Sequence, residues 1–151
     1  MHAEAGPDAA GPDAPAVVAL AEPAGGVPAV VESAAALSDA AAALAAGSGP
    51  VAVDAERASG YRYGQRTYLV QLRRAGAGTW LIDPVALPDL SELDEALRGV
   101  EWVLHAASQD LPGLAEQRMT PDSVFDTELA ATLLGSGGMG LVYLAEQTDP
   151  I

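Results

Sequence analysis

The sequence predicts an α/β fold built on a mixed β-sheet, and three observations support this. Short β-rich segments dominate the chain between residues 51 and 83, and helical segments alternate with strands after them. Prolines and glycines stand between these segments, where strands and helices would end. Three early strands followed by helix, strand and helix are typical of a sheet with both parallel and antiparallel pairs.

The first elements follow a segment that is rich in Ala and Pro. Residues 1–28 hold five of the eleven prolines and show no apolar periodicity, so we interpret them as a disordered leader. Residues 30–31 are apolar and predict a short strand. Ser33 is a typical N-cap residue, and the Ala-rich stretch after it predicts a helix through about Ala46. The Gly- and Pro-containing segment 47–50 ends that helix.

The later elements are indicated by β-rich runs and by amphipathic spacing. Residues 75–78 separate two β-rich runs and predict a turn. Pro112 is placed in the first turn of its helix, where proline is tolerated. Gly99 ends the helix before it. In order, the sequence predicts strands at 51–56, 67–73 and 79–83, a helix at 89–98, a strand at 101–105, a helix at 109–118, a short strand at 124–125 and a helix from Asp126 to about Leu134.

Composition excludes several classes of protein. The 151 residues carry a net charge of −14, which argues against indiscriminate binding to nucleic acid or to an anionic membrane. Cysteine is absent, so a disulfide framework and cysteine-based zinc or thiol chemistry are excluded. The sequence lacks an apolar run of membrane-spanning length and a basic, signal-like start. We therefore expect a cytoplasmic protein that has no membrane partner.

Two carboxylates are the first candidates for chemistry. Asp54 and Glu56 are two residues apart on a predicted strand, so both side chains share one face. Two such anions on a largely apolar strand are tolerated if a cation lies between them or if both reach water. Carboxylate oxygens favour Mg²⁺ or Mn²⁺. Considered alone, the pair is also compatible with two solvated acids at a strand end.

Three further polar residues lie near predicted helix starts. Asp110 follows a strand by a few residues and is compatible with a functional carboxylate or with a residue that complements the helix dipole. His105 ends the preceding strand, where a packing role is as reasonable as a chemical one. Asp126 is placed as an ordinary N-cap residue.

A local basic segment modifies the charge argument. Residues 51–82 contain five Arg and two acids, a local net charge of +3 inside an acidic chain. Arg interleaved with Tyr suits phosphate contacts and base stacking, although a solvated basic hairpin is an equal alternative. The Arg and Tyr residues nearest the acidic pair are Arg57, Tyr61, Arg62, Tyr63 and Arg66.

Four segments together resemble the exonuclease domain of ribonuclease D, most closely its actinobacterial forms. They occur in the order and with the separations that this family shows. The resemblance covers about residues 28–135. The segments are VAVDAERASGYRYGQRTYLVQL (51–72), LIDPVALPDL (81–90), WVLHAASQDLPGLAE (102–116) and VFDTELAATLLG (124–135).

This resemblance implies a ribonuclease H-like fold and a metal-dependent 3′–5′ exoribonuclease that trims RNA 3′ ends, including those of tRNA precursors. Asp54, Glu56 and Asp110 match acidic residues of the family's first two motifs and would be its catalytic metal ligands. The implied cofactor is Mg²⁺ or Mn²⁺ in a two-metal site. No obligate protein partner is implied. Nucleic-acid contacts are expected from Arg57, Tyr61, Arg62, Tyr63, Arg66 and His105.

The sequence departs from the family at its end. The family's third motif, a Tyr followed four residues later by Asp, is absent from the 151 residues. Residues 135–151 instead resemble the Gly-rich loop that opens a bacterial Ser/Thr kinase. We therefore expect an exonuclease portion at 29–134 that is truncated and has little activity alone. A non-catalytic RNA-binding module and a non-functional gene fragment are the alternatives.

Overall fold

A computed structural model describes residue 23 and residues 25–57 and 66–135 of the chain. These residues form strands and helices in an α/β order, as the sequence predicts. The elements are β1 (Val30–Val31), α1 (Ala34–Ala46), β2 (Ser48–Arg57), β3 (Thr67–Ala75), β4 (Gly78–Ile82), α2 (Ser91–Ala96), β5 (Glu101–Leu104), α3 (Ala107–Glu116), β6 (Ser123–Asp126) and α4 (Thr127–Gly135).

The strands form one mixed sheet in the order β1-β4-β3-β2-β5-β6. The central strand β3 pairs antiparallel with β2 and with β4, and a short turn after Ala75 joins β3 to β4. Strands β5 and β6 continue the sheet in parallel with β2, and β1 pairs in parallel with β4 at the other edge. The prediction of a mixed α/β sheet is therefore confirmed.

The hydrophobic core lies on one face of this sheet. Alternate residues of β2 are buried, which is the period-two pattern of a strand with one covered face. Helices α1, α2 and α3 contribute Leu and Ala side chains to the same cluster. The largest fully buried side chains include Trp102 of β5, Leu72 of β3 and Leu114 of α3.

Helix α3 begins two residues earlier than the sequence predicts. It starts at Ala107 because the Asp126 carboxylate, from a neighbouring strand, accepts hydrogen bonds from the Ala106 and Ala107 amides at 3.1 and 2.9 Å. Pro112 consequently lies inside the helix and not in its first turn, which corrects that prediction. A cap supplied from so far along the chain leaves no local sequence signal.

Helix α2 begins later than the sequence predicts. It starts at Ser91, because Leu90 turns into the core and forms the N-cap. The Asp89 carboxylate instead accepts a hydrogen bond from the Ser91 amide at 3.0 Å. Helix α1 begins as predicted, since the Ser33 hydroxyl accepts a hydrogen bond from the Ala36 amide at 3.3 Å.

Helix α4 differs from the other helices because it contributes no buried residue. Its three leucines Leu129, Leu133 and Leu134 are 61%, 75% and 71% exposed. None of the helices in the described part of the chain combines the length and the apolar character needed to cross a bilayer. Most of the predicted leader at 1–28 and nearly all of the predicted tail at 135–151 lie outside the described residues.

Candidate active site

The two faces of strand β2 carry different chemistry. Val51, Val53 and Ala55 point into the core, while Asp54 and Glu56 are exposed on the opposite face. The predicted pairing of the two carboxylates on one face is therefore what the strand shows. Asp54 lies directly opposite Gln71 in the β2–β3 ladder, and the Gln71 amide donates a hydrogen bond to Asp54 Oδ2 at 3.0 Å.

Strand β2 extends beyond its neighbour β5, and this opens an edge for a third carboxylate. The parallel pairing with β5 joins Val51 to Trp102 and Ala52 to Val103. Strand β5 ends at Leu104, and the chain then enters helix α3. The first turn of α3 thereby comes alongside the part of β2 that β5 does not pair with. There a hydrogen bond from the Ala55 backbone acts to lower the pKa of Asp110.

Asp110 is the buried member of the three predicted metal ligands. Its residue is 7% exposed, whereas Asp54 and Glu56 reach solvent. Burial raises the pKa of Asp110, and the negative charges of Asp54 and Glu56 raise it further. The Arg57 guanidinium opposes this rise, since its Nη2 lies 3.6 Å from Asp110 Oδ1. The charges of Asp54 and Glu56 therefore act on Asp110 across the gap between β2 and α3.

The donor set suits a hard divalent cation in type. Three carboxylates that crowd one another need a positive charge, and carboxylate oxygens are preferred ligands of Mg²⁺ and Mn²⁺. Within the described ranges, however, no group of three or more acidic or imidazole side chains is gathered closely enough to enclose an ion. Asp54 is held by Gln71, and Asp110 is held by Arg57. Each of these contacts is made to one carboxylate oxygen, Asp54 Oδ2 and Asp110 Oδ1.

The structure describes three of the six predicted nucleic-acid contacts. Arg57 ends β2 beside Asp110, and Arg66 is exposed just before β3. His105 is exposed at the end of β5, with its Nδ1 3.0 Å from Thr127 Oγ1. Tyr61, Arg62 and Tyr63 lie outside the described residues. Among the described residues, Arg57 is the predicted nucleic-acid contact that pairs with a candidate carboxylate.

Two residues that contact this site were not singled out as functional by the sequence. Gln71 binds a candidate catalytic carboxylate, and only the strand register reveals it. Asp126 holds the Ala106–Ala107 turn that precedes Asp110. In that turn Ala106 has a φ of 55°, a left-handed conformation that alanine rarely adopts without support. Asp126 therefore does more than cap its own helix.

The sequence profile of the 3′–5′ exonuclease family matches residues 28–148. The chain belongs to this family and is a ribonuclease D-like member of it. The match includes most of the segment that resembles a kinase loop.

Individual relatives agree with this assignment. Ribonuclease D of Desulfotalea psychrophila is 39% identical over 80 residues, which are 48% of this chain and 21% of the relative. A crystal structure of a protein from Bifidobacterium adolescentis is 48% identical with a TM-score of 0.74, covering 81% of this chain and 30% of that one. Escherichia coli RNase D, described as an exoribonuclease involved in structured RNA processing, is 30% identical with a TM-score of 0.62, covering 71% and 29%.

The chain spans about a fifth to under a third of the length of the curated ribonuclease D relatives and of the Escherichia coli RNase D structure. The matched part contains the sheet and the three carboxylates. Exonucleases of this superfamily generally use divalent metals, which agrees with the donor types found here.

Proposed function

We propose that this chain carries part of the active site of a metal-dependent 3′–5′ exoribonuclease that hydrolyses phosphodiester bonds at RNA 3′ ends. One observation carries the proposal. The buried Asp110 of α3 lies 3.6 Å from the Arg57 guanidinium at the end of β2, the strand that carries Asp54 and Glu56. The family assignment supports the reaction class, and the names of the relatives support RNA as the substrate.

The position of each carboxylate suggests its proposed role in binding the metal. Asp54 and Glu56 reach solvent and would meet the substrate side of a bound cation, whereas Asp110 would hold it from the protein interior. When bound, the divalent ions would provide an activated water and stabilise the leaving 3′ oxygen. Gln71 would orient Asp54, because its amide already donates to that carboxylate.

The basic residues would hold the RNA backbone. Arg57 lies beside Asp110, and Arg66 is exposed at the start of the next strand. Guanidinium groups suit phosphate oxygens because they donate parallel hydrogen bonds. We include His105, Tyr61, Arg62 and Tyr63 among the proposed RNA contacts. Precursors of tRNA are the proposed substrates, and a cytoplasmic location is part of the proposal, since those substrates occur there.

We expect low turnover from residues 1–151 alone. The sequence lacks the Tyr-x-x-x-Asp pair that the resemblance to ribonuclease D leads us to expect. Three carboxylates without the fourth would bind metal more weakly, because fewer charges offset the cost of dehydrating the ion. A variant extended by a helix that carries Tyr-x-x-x-Asp should recover trimming.

The deciding experiment follows 3′-labelled single-stranded RNA with Mn²⁺ and this extended variant. Asp54→Asn should reduce the rate at least about 100-fold, because it removes a metal ligand. Asp39→Asn is the matched control, since it makes the same change of charge at an exposed position of helix α1. If the folded, extended variant leaves the RNA intact, the exonuclease proposal is wrong.

The same samples separate catalysis from simple RNA binding. A non-catalytic RNA-binding module would keep its RNA affinity after Asp54→Ala and Glu56→Ala and would lose it when Arg62 and Arg66 are changed to Gln. An exonuclease would show metal-dependent affinity that Asp54→Ala removes. Fluorescence anisotropy with labelled RNA, with and without Mn²⁺, distinguishes the two outcomes.

A further inference from the structure

Helix α3 approaches strand β3 closely at one point, where Gly113 faces Thr67. A Cβ atom on Gly113 would lie 2.6 Å from Thr67 Oγ1, and real Cβ atoms essentially never come within 3.0 Å of another heavy atom. Both residues are buried, and Thr67 is 1% exposed. The absence of a side chain at residue 113 therefore permits a helix–strand distance that alanine would increase.

Neither residue of this pair is the best choice for stability. Glycine inside a helix is less favourable than alanine, because it loses more backbone freedom on folding. Thr67 Oγ1 is buried without a hydrogen-bond partner among the described residues, and burying an unpaired hydroxyl is unfavourable. The Thr67–Gly113 contact therefore combines two features that lower stability, whereas the Leu and Val contacts elsewhere in the core bury apolar groups.

The Thr67–Gly113 contact lies next to the candidate active site. Gly113 follows Asp110 by three residues, so it is about one helical turn away on the same side of α3. Thr67 pairs with Arg57 in the β2–β3 ladder, and Arg57 contacts Asp110. The contact consequently joins the helix that carries Asp110 to the strand that pairs with Arg57.

We propose that Thr67 and Gly113 are positioning residues, whose close contact sets the place of Asp110 for binding a divalent metal ion. This inference rests on the proposed function, because it assigns the contact a role in the same metal site. Neither Thr67 nor Gly113 is proposed to be a ligand of the metal. Their effect passes through the backbone of α3 to the Asp110 carboxylate.

The test measures Mn²⁺ binding to the metal-free protein by the electron paramagnetic resonance signal of free Mn²⁺. Gly113→Ala should weaken binding about tenfold or more, the range typical of residues that orient metal ligands. The double variant Gly113→Ala with Thr67→Ala removes the obstructing oxygen and should restore binding to within about threefold of wild type. Gly113→Ala with Thr67→Val keeps an atom where Oγ1 stood and should not restore it.

Controls separate positioning from general loss of stability. Ile82→Val removes a methyl group from the core of strand β4 and should leave Mn²⁺ binding unchanged. Urea unfolding establishes that each variant is folded during the titration. If Gly113→Ala does not fold, Thr67→Leu enlarges the same contact from the strand and should weaken binding in the same way.

Each outcome decides a different point. A folded Gly113→Ala protein that binds Mn²⁺ like wild type overturns the positioning role and leaves the proposed function intact. A loss of binding that Thr67→Val restores as well as Thr67→Ala also overturns it, since the clash would then be irrelevant. Wild-type protein with no more Mn²⁺ affinity than Asp110→Asn would overturn the proposed metal site and, with it, this role of the contact.

Discussion

The two faces of strand β2 divide stability from chemistry within a single run of residues. The face with Val51, Val53 and Ala55 packs into the core, while the face with Asp54 and Glu56 holds acids at the surface. The two sets alternate, so Asp54 stands between the core residues Val53 and Ala55, and Glu56 directly follows Ala55. Anchoring from the core face keeps the backbone of β2 in place although its other face carries repelling charges. The predictions below test this division.

The largest expected effect on stability is in the core. Leu72 lies directly opposite Val53, and Leu72→Ala should reduce the free energy of unfolding by about 2–5 kcal/mol, since it removes buried methyl groups and leaves a cavity. Tyr68→Ala on the same strand should cost far less, because Tyr68 is 49% exposed. Urea unfolding of both variants checks the difference. Equal losses would contradict the assignment of the buried face.

Asp94 of helix α2 is a buried acid outside the candidate active site, and its removal should lower the stability of the fold, whereas removal of the Asp110 charge should not. Asp94 accepts a hydrogen bond from the Thr120 amide at 2.6 Å and forms an ion pair with Arg98. Asp94→Ala leaves the Thr120 amide without this acceptor and removes one of the two carboxylates that pair with Arg98, and it should cost about 1–3 kcal/mol in urea unfolding. The control is Glu92→Ala, an exposed acid of the same helix. A negligible loss for Asp94→Ala would show that the Asp94 contacts are unimportant.

Asp126 gives a prediction for the pH dependence of stability. Burial acts to raise the pKa of Asp126, but hydrogen bonds from the Ala107, Glu128, Leu129 and Ala106 amides outweigh it and hold the pKa below its ordinary value. A carboxyl with a lowered pKa stabilises the fold above the unfolded-state pKa, and this stability is lost as the pH falls through the folded-state value.

Asp126→Asn should therefore lower the stability at neutral pH, and its difference from wild type should shrink below about pH 4. Urea unfolding over a pH series measures the difference. Asp39→Asn, at an exposed site, is the control for the loss of one charge. A difference between Asp126→Asn and wild type that stays constant from neutral to acid pH would contradict the capping role.

The smallest expected effect is a gain in stability at the site. Burial and the charge of Asp54 raise the pKa of Asp110. The protonated carboxyl therefore stabilises the fold below its ordinary pKa, and this stability is lost as the pH rises through the raised pKa. Asp110→Asn should therefore raise the free energy of unfolding at neutral pH by less than about 1 kcal/mol in metal-free protein. Destabilisation by this change would mean that the Arg57 ion pair outweighs the repulsion.

The sequence was informative about the fold because its signals are local. Ser33 marks the start of α1, and the glycines around residue 77 mark the β3–β4 turn, as the structure shows. The order of strands and helices followed from the same signals. The start of α3 could not be predicted, because its cap comes from Asp126 through a contact that spans about twenty residues.

The site was predictable to a similar extent. Asp54 and Glu56 share a face because alternation is a property of every strand. The nearness of Asp110 depends on how far β2 extends past β5, which is a property of the sheet register. Gln71, Thr67 and Gly113 act through contacts between elements, and no spacing in the sequence reveals them. The metal-binding and RNA-binding roles of the candidate site residues stay predictions.

The lack of buried residues on α4 has a consequence for the timescale of local opening. The Asp126 carboxylate caps the Glu128 and Leu129 amides, but α4 lacks the buried packing that secures α1 or β3. Segments of this kind open with a small fraction of the global unfolding free energy. Hydrogen–deuterium exchange should therefore label α4 within the earliest time points, while the β2–β3 ladder should retain its protons longest.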